Sequence, residues 1–81
     1  MFYAYILQSI PHPVEFYRGY TSDLRQRLHD HNAGKYIHTA QFRPWKLNFY
    51  AAFDTEDLAR KFETYLKTGS GHAFAKRHLS L

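Results

Sequence analysis

The 81-residue sequence contains no cysteine, which excludes disulfide bonds and thiolate metal sites. No apolar run approaches the roughly 20 residues that a membrane-spanning helix requires. The apolar start, residues 1–9, lacks the basic beginning of a secretory signal peptide and is interrupted by Tyr and Gln, so we interpret it as part of the fold. These absences predict one small soluble domain, residues 1–81, that is cytoplasmic and has no membrane partner.

Acidic residues are also few, with 7 Asp and Glu against 11 Lys and Arg, which gives a net charge of +4 with histidines neutral. A basic composition is the first feature expected of a nucleic-acid-binding protein, although many small proteins are basic for solubility. The histidines show no metal-ligand spacing, because His29 and His31 are two apart on a predicted helix and point about 200° apart. A structural zinc site is therefore not expected.

The hydrophobic pattern predicts an α/β fold, a small three-stranded antiparallel sheet flanked by helices in the order β-β-α-β-α-α. Residues 2–7 are apolar on both faces, as in a central strand, and residues 15–20 form its hairpin partner. Two prolines in residues 9–13 end the first strand. Residues 45–53 alternate strictly, which predicts a third strand with one inward face. That face consists of Trp45, Leu47, Phe49, Ala51 and Phe53.

Capping residues and glycines mark three helices. Ser22 or Asp23 is expected to begin the first helix, and the acidic segment 54–57 begins the second. Glycine or asparagine is the usual residue at a helix C-terminus. The predicted ends are Asn32 or Gly34 for the first helix and Gly69 for the second, with a third helix over about residues 71–79 and a loop over residues 35–44.

Several hydrogen-bonding residues lie where the second strand meets the first helix. Arg27 and His31 are four residues apart, share a helix face, and border the apolar stripe of that helix. Tyr17 lies on the strand that leads into this helix. Each residue has an ordinary alternative: a boundary arginine, a hydrogen-bonded histidine at the core edge, and a core tyrosine, which is also the alternative for Tyr5. On position alone, the ordinary role is favoured for Arg27 and for His31 when each is taken singly.

Glu63 also has two interpretations. It lies four residues before Lys67 on a predicted helix, so an ion pair explains it, and on position alone we favour this pair. A single carboxylate is nevertheless enough to hold a hydrated Mg²⁺, which keeps most of its waters and needs few protein ligands.

Short motifs spread over nearly the whole chain resemble those of the GIY-YIG nuclease superfamily, in particular its small stand-alone bacterial members. The residues that carry the resemblance are 3–9 and 17–19 for the two half-motifs, then 20–24, 27–28, 31–32, Gly34, 44–47, Glu63 and 65–69. The resemblance implies an endonuclease that depends on Mg²⁺ or Mn²⁺ and hydrolyses DNA phosphodiester bonds. Structure-selective cleavage in DNA repair or recombination is one use of such an activity.

The resemblance also implies roles for individual residues. Arg27 would hold a phosphate oxygen, Glu63 would bind the metal, and Tyr17 would orient or deprotonate the attacking water. Tyr5 and His31 would orient water or take part in proton transfer. Basic residues would guide the DNA backbone, the alternative for each being a solvated surface charge. The implied backbone contacts are Arg43, Lys46, Lys67, Lys76 and Arg77.

The sequence departs from the family pattern at three points. Tyr3 stands where the first half-motif has glycine, and Arg18 replaces an apolar residue in the second. No asparagine follows Glu63, so Lys67 or His72 is a candidate to position the phosphate instead. Two rival functions remain open: a nucleic-acid-binding module with the nuclease fold and little or no catalysis, and a structural interaction domain.

Overall fold

A computed structural model describes all residues from 1 to 81. Its elements are β1 (Phe2–Ser9), β2 (Phe16–Thr21), α1 (Leu24–Asn32), α2 (Ile37–Ala40), β3 (Trp45–Phe53), α3 (Glu56–Leu66) and α4 (Gly69–Leu79). The predicted fold is confirmed, with the short helix α2 added inside the segment expected to be a loop. None of the four helices combines the length and the apolarity needed to cross a membrane.

The sheet is antiparallel with β1 in the centre, in the order β2-β1-β3. Ala4 and Ile6 face one core, which they share with residues of α3 and α4. Tyr5 and Leu7 face a second core, on the side of α1, which includes Trp45. All four of these β1 residues are buried, which confirms that both faces of the predicted central strand are covered.

The residue range predicted for β3 is confirmed, but the prediction that its apolar residues share one inward face is wrong. Leu47 pairs with Leu7 and Phe49 pairs with Ile6, so the register shifts between neighbouring residues of β1. An extra residue in one strand reverses the alternation of its side chains. Trp45 and Leu47 therefore pack in the α1-side core, whereas Phe49 and Phe53 pack in the core beneath α3 and α4.

Gly69 was expected to end α3, but this expectation is wrong, because Gly69 is the first residue of α4. The hydroxyl of Thr68 caps α4 by accepting a hydrogen bond from the Gly71 N–H at 3.1 Å. The two helices approach closely here, since a Cβ on Gly71 would lie 2.0 Å from the Tyr65 carbonyl oxygen. β1 also continues two residues beyond its expected end, and the Ser9 hydroxyl donates to the Phe42 carbonyl at 2.6 Å.

Candidate active site

A polar cavity of about 460 Å³ lies between β2, α1 and α3. Tyr17 and Arg18 line it from β2, Arg27 from α1, and Glu63 and Lys67 from α3 and its C-cap. We call this the site cavity. It brings together three of the predicted site residues from three separate elements, as well as one of the predicted backbone contacts.

Local structure at the start of α1 places Arg27 in the cavity. The Asp23 carboxylate caps the helix by accepting a hydrogen bond from the Gln26 N–H at 3.0 Å, which fixes the first turn. The Arg27 guanidinium carbon lies 5.6 Å from the centre of the Tyr36 ring, a cation–π distance. Arg27 takes part in none of the four ion pairs of the chain. Its guanidinium is therefore held by an aromatic ring and has no carboxylate partner.

Glu63 is buried, with 9% of its side chain exposed, and one of its oxygens forms an ion pair with the Lys67 ammonium. The pair favoured from the sequence is therefore present. Burial of a carboxylate is costly unless a charge or hydrogen bond compensates it, and Lys67 provides that compensation. The second carboxylate oxygen has no hydrogen-bond partner in the protein, and Glu63 still lines the cavity.

Tyr5 and His31 lie beneath the site cavity and do not line it. Both are almost completely buried, and the Tyr5 hydroxyl is 3.3 Å from Nε2 of His31. The other ring nitrogen, Nδ1 of His31, is 2.8 Å from the Thr39 hydroxyl. The rings of His31 and Tyr17 are 4.8 Å apart between centroids. This buried pair therefore adjoins two residues that line the cavity, the Tyr17 ring and the charged Arg27.

The pKa of His31 is lowered to about 4, mainly by burial and also by the Arg27 charge, with Asp30 opposing both. Burial also raises the pKa of Tyr5, so its hydroxyl keeps the proton at neutral pH. A neutral histidine has one donor and one acceptor nitrogen.

The direction of the hydrogen bonds follows from Thr39. Its hydroxyl donates to the Tyr36 carbonyl at 3.4 Å, so its oxygen is assigned as the acceptor for the N–H at Nδ1 of His31. Nε2 is then left to accept from the Tyr5 hydroxyl. Tyr5, His31 and Thr39 thus form a chain of hydrogen bonds with a single direction.

Gly19 leaves room for this chain. It pairs with Tyr5 across the sheet, and a Cβ built on it would lie 2.6 Å from the Tyr5 hydroxyl oxygen and 3.0 Å from a ring carbon of Tyr17. The glycine of the second half-motif is therefore required by the close approach of two tyrosine side chains.

Two residues of the site were not identified as such from the sequence. Thr39 lies in α2, within the segment expected to be a loop, and no local pattern links it to His31. Arg18 appeared only as a departure from the family pattern. It lines the site cavity, its Nε is buried without a hydrogen-bond partner, and burial lowers its pKa. The feature that could have identified Arg18 from the sequence is a positive charge on a strand that lies at the edge of the sheet.

The five residues expected to guide DNA do not line one cavity. Lys67 lines the site cavity, whereas Lys76 and Arg77 line a separate groove beside α4. Lys46 is exposed on β3, and the Arg43 guanidinium occupies the space that a side chain at Gly34 would need. Of the two candidates to replace the missing asparagine, Lys67 lines the site cavity and His72 does not.

The structure contains no group of three or more His, Cys, Asp or Glu side chains placed to hold a metal ion together. Glu63 and Glu56 are the two acids that line the site cavity. Such a sparse set suits Mg²⁺ or Mn²⁺ bound with most of its waters, and does not suit an ion enclosed by protein ligands.

The sequence profile of the GIY-YIG catalytic domain matches residues 1–77. Proteins described as UPF0213 proteins from Streptococcus pyogenes serotypes M3, M1 and M4 are each 38% identical to the chain over 66 residues. Each alignment covers 80% of this chain and 70% of the relative. The profile match includes every residue that lines the site cavity, together with Tyr5, His31 and Thr39.

Proposed function

This chain belongs to the GIY-YIG nuclease family, and we propose that it is a divalent-metal-dependent endonuclease that hydrolyses DNA phosphodiester bonds. The observation that carries the proposal is the site cavity, where Tyr17, Arg27 and Glu63 converge from three elements. Phosphodiester hydrolysis needs cations around the phosphate, a means of orienting water, and fixed geometry between them. These three residues have the chemistry for those tasks.

Two arginines are proposed to bind the phosphate. Arg27 has no carboxylate partner, so its charge is not neutralised and can form charge-assisted hydrogen bonds with phosphate oxygens. Arg18 lines the same cavity, so its positive charge is placed to attract a bound phosphate as well. Two guanidinium groups would then stabilise the charge that develops in the transition state.

Tyr17 is proposed to orient the attacking water, because its ring reaches the cavity from β2. Tyr5 and His31 are buried behind it, so we assign them a positioning role. Their chain of hydrogen bonds to Thr39 holds the rings in place, with the neutral His31 accepting a hydrogen bond from the Tyr5 hydroxyl.

Glu63 is proposed to hold the metal. Its second carboxylate oxygen has no protein partner, and the polar cavity leaves room for a hydrated ion. When bound, Mg²⁺ or Mn²⁺ supplies positive charge that stabilises the phosphate in the transition state. Lys67 shares the carboxylate and remains close to the place proposed for the phosphate.

The proposal is tested by Glu63→Gln, which removes the charge and nearly preserves the shape of the side chain. Cleavage is measured on linear, flapped and branched DNA in Mg²⁺, Mn²⁺ or EDTA. The parent should cleave with metal and not in EDTA, and the variant should be slower by about two orders of magnitude. DNA binding in EDTA should persist, because the change removes a negative charge near the phosphate.

Asp54→Asn is the matched control, since it makes the same chemical change at an exposed residue outside the cavity. It should cleave at the parental rate, and melting curves of all three proteins should confirm folding. Cleavage by Glu63→Gln at the parental rate would contradict the proposal. Preference for branched substrates would favour a role in repair or recombination.

A binding module without catalysis is the rival function, and the ion pair of Glu63 with Lys67 favours it, because the ammonium already occupies one metal-binding oxygen. This rival predicts salt-dependent DNA binding with no cleavage of any substrate in either metal.

A further inference from the structure

A second groove, of about 640 Å³, runs along α4 and shares no lining residue with the site cavity. Its residues are Tyr65, Ser70, Ala73, Phe74, Lys76, Arg77 and His78. We call it the α4 groove. Its lining includes the aromatic rings of Tyr65 and Phe74 and three basic side chains, and it includes no acidic residue.

Two basic residues of the α4 groove are exposed and have no ion-pair partner. Lys76 and Arg77 are exposed and take part in none of the ion pairs of the chain. On α3, by contrast, Arg60 and Lys61 both pair with Asp57. Two cations without an ion-pair partner, in a groove lined by no acidic residue, attract an anionic ligand.

Tyr65 presents an aromatic surface beside these cations. Its ring centroid lies 5.6 Å from that of Phe62 and 6.2 Å from that of Phe74, and its hydroxyl donates to the Ser70 carbonyl at 3.4 Å. The ring is thus held on several sides, yet 36% of the residue is exposed. The dipole of α4 accounts for basic residues in its last turn but not for an exposed, fixed ring next to them.

We propose that the α4 groove binds a single-stranded segment of nucleic acid, with a base stacked on Tyr65 and phosphates contacting Lys76 and Arg77. Proteins bind unpaired strands by combining aromatic rings, on which bases stack, with basic side chains that contact the backbone. The bases of a duplex are stacked on one another and cannot reach such a ring. The ligand is therefore an unpaired strand.

This inference rests on the proposed function and narrows its substrate class. Tyr65 lies two residues from both Glu63 and Lys67, so it points about 200° away from them around α3. The site cavity and the α4 groove are consequently separated by about the 10 Å diameter of one helix. A DNA substrate that reaches both would carry an unpaired flank next to the bond that is cleaved.

The test is fluorescence anisotropy in EDTA with three probes: a labelled single strand, the same strand with abasic sites, and a duplex. The abasic strand keeps the phosphates and loses the bases, so the parent should bind it more weakly than the intact strand. Tyr65→Ala should weaken binding of the intact strand by about 5- to 100-fold and leave the abasic strand unchanged. Tyr65→Phe, which keeps the ring, should bind as the parent does.

Arg77→Ala should weaken binding of both single strands and lower the slope of log affinity against log salt by about 0.7. Lys61→Ala is its matched control, because it changes the net charge equally at an exposed site outside the groove. It should leave affinity and slope unchanged. If Tyr65→Ala fails to fold, the abasic comparison on the parent and the Arg77→Ala result decide the matter.

Equal binding of intact and abasic strands by the parent would overturn the inference, as would displacement of the single strand by an acidic peptide at equal charge concentration. Since binding is measured without metal, these results do not depend on hydrolysis. If the parent cleaves linear duplex DNA and Tyr65→Ala binds the single strand as tightly as the parent, the α4 groove is not the single-strand site. The proposed nuclease function would then still stand. Binding that needs Tyr65, without any cleavage, would refute the nuclease and retain the groove.

Discussion

Lowering the pH from about 7.5 to about 5 is expected to destabilise the fold through His31. The pKa of this buried histidine falls from 6.5 to about 4 on folding. Below about pH 6.5 the unfolded chain binds a proton at this residue that the folded chain does not bind. The contribution of the neutral His31 to the free energy of unfolding is therefore complete above that pH. It is lost progressively as the pH falls towards 4.

The size of the effect follows from the two pKa values. Between about pH 7.5 and about pH 5, linkage predicts a loss of about 2 kcal/mol in the free energy of unfolding. For a domain of this size, that corresponds to a fall in Tm of about 10 °C. The carboxyls of Asp30 and Asp57 have lowered pKa values, so they stay ionised over this range in the folded protein and add little to the change.

Thermal melting followed by circular dichroism measures the change in the parent, in His31→Gln and in His38→Gln. Glutamine does not titrate, so the His31 variant should lose most of the pH dependence, although it should also be less stable than the parent at about pH 7.5. His38 is exposed in the adjacent helix α2, and its replacement should leave the pH dependence intact. A His31→Gln protein that loses as much stability on acidification as the parent would refute the reasoning.

Three further variants address the site. Gly19→Ala should lower both Tm and the cleavage rate, because a methyl group 2.6 Å from the Tyr5 hydroxyl oxygen must displace that ring; an unchanged rate would show that the position of Tyr5 is unimportant. Thr39→Val keeps the shape and removes the hydroxyl that accepts from His31, so the cleavage rate should fall and its pH profile should shift. Thr39→Ser keeps that hydroxyl and should show the parental rate and pH profile. Arg18→Met preserves much of the stem and removes the charge, so it should raise KM for DNA and lower kcat; kinetics equal to those of the parent would exclude a phosphate contact.

The sequence predicted those elements whose signal is local. Residues 2–7 are apolar at every position, which indicates a central strand, and the alternation over residues 45–53 gave the limits of β3 correctly. The face of β3 was not predictable, because the reversal between Leu47 and Phe49 depends on pairing with β1, which is distant in sequence. Gly69 resembled a helix end, but the cap at Thr68 makes it a helix beginning.

The site was predictable only in part. Spacing placed Arg27 and His31 on one face of a helix, while the expectation that Tyr17 and Glu63 approach them came from the family resemblance. The contact of His31 with Thr39 had no signal, because the four residues of α2 are too few to show a helical period. Arg18 was visible in the sequence, but its role depends on the cavity that forms only in the folded sheet.

The register shift in β3 has a consequence for cooperativity. One end of the strand supplies Trp45 and Leu47 to the core beside α1, and the other supplies Phe49 and Phe53 to the core beneath α3 and α4. Because the same strand and its partner β1 contribute to both cores, an opening that frees one half of β3 disturbs the other. The layer that positions Arg27 and the layer that carries the α4 groove therefore belong to one folding unit, and neither can be loosened to suit a substrate without cost to the other.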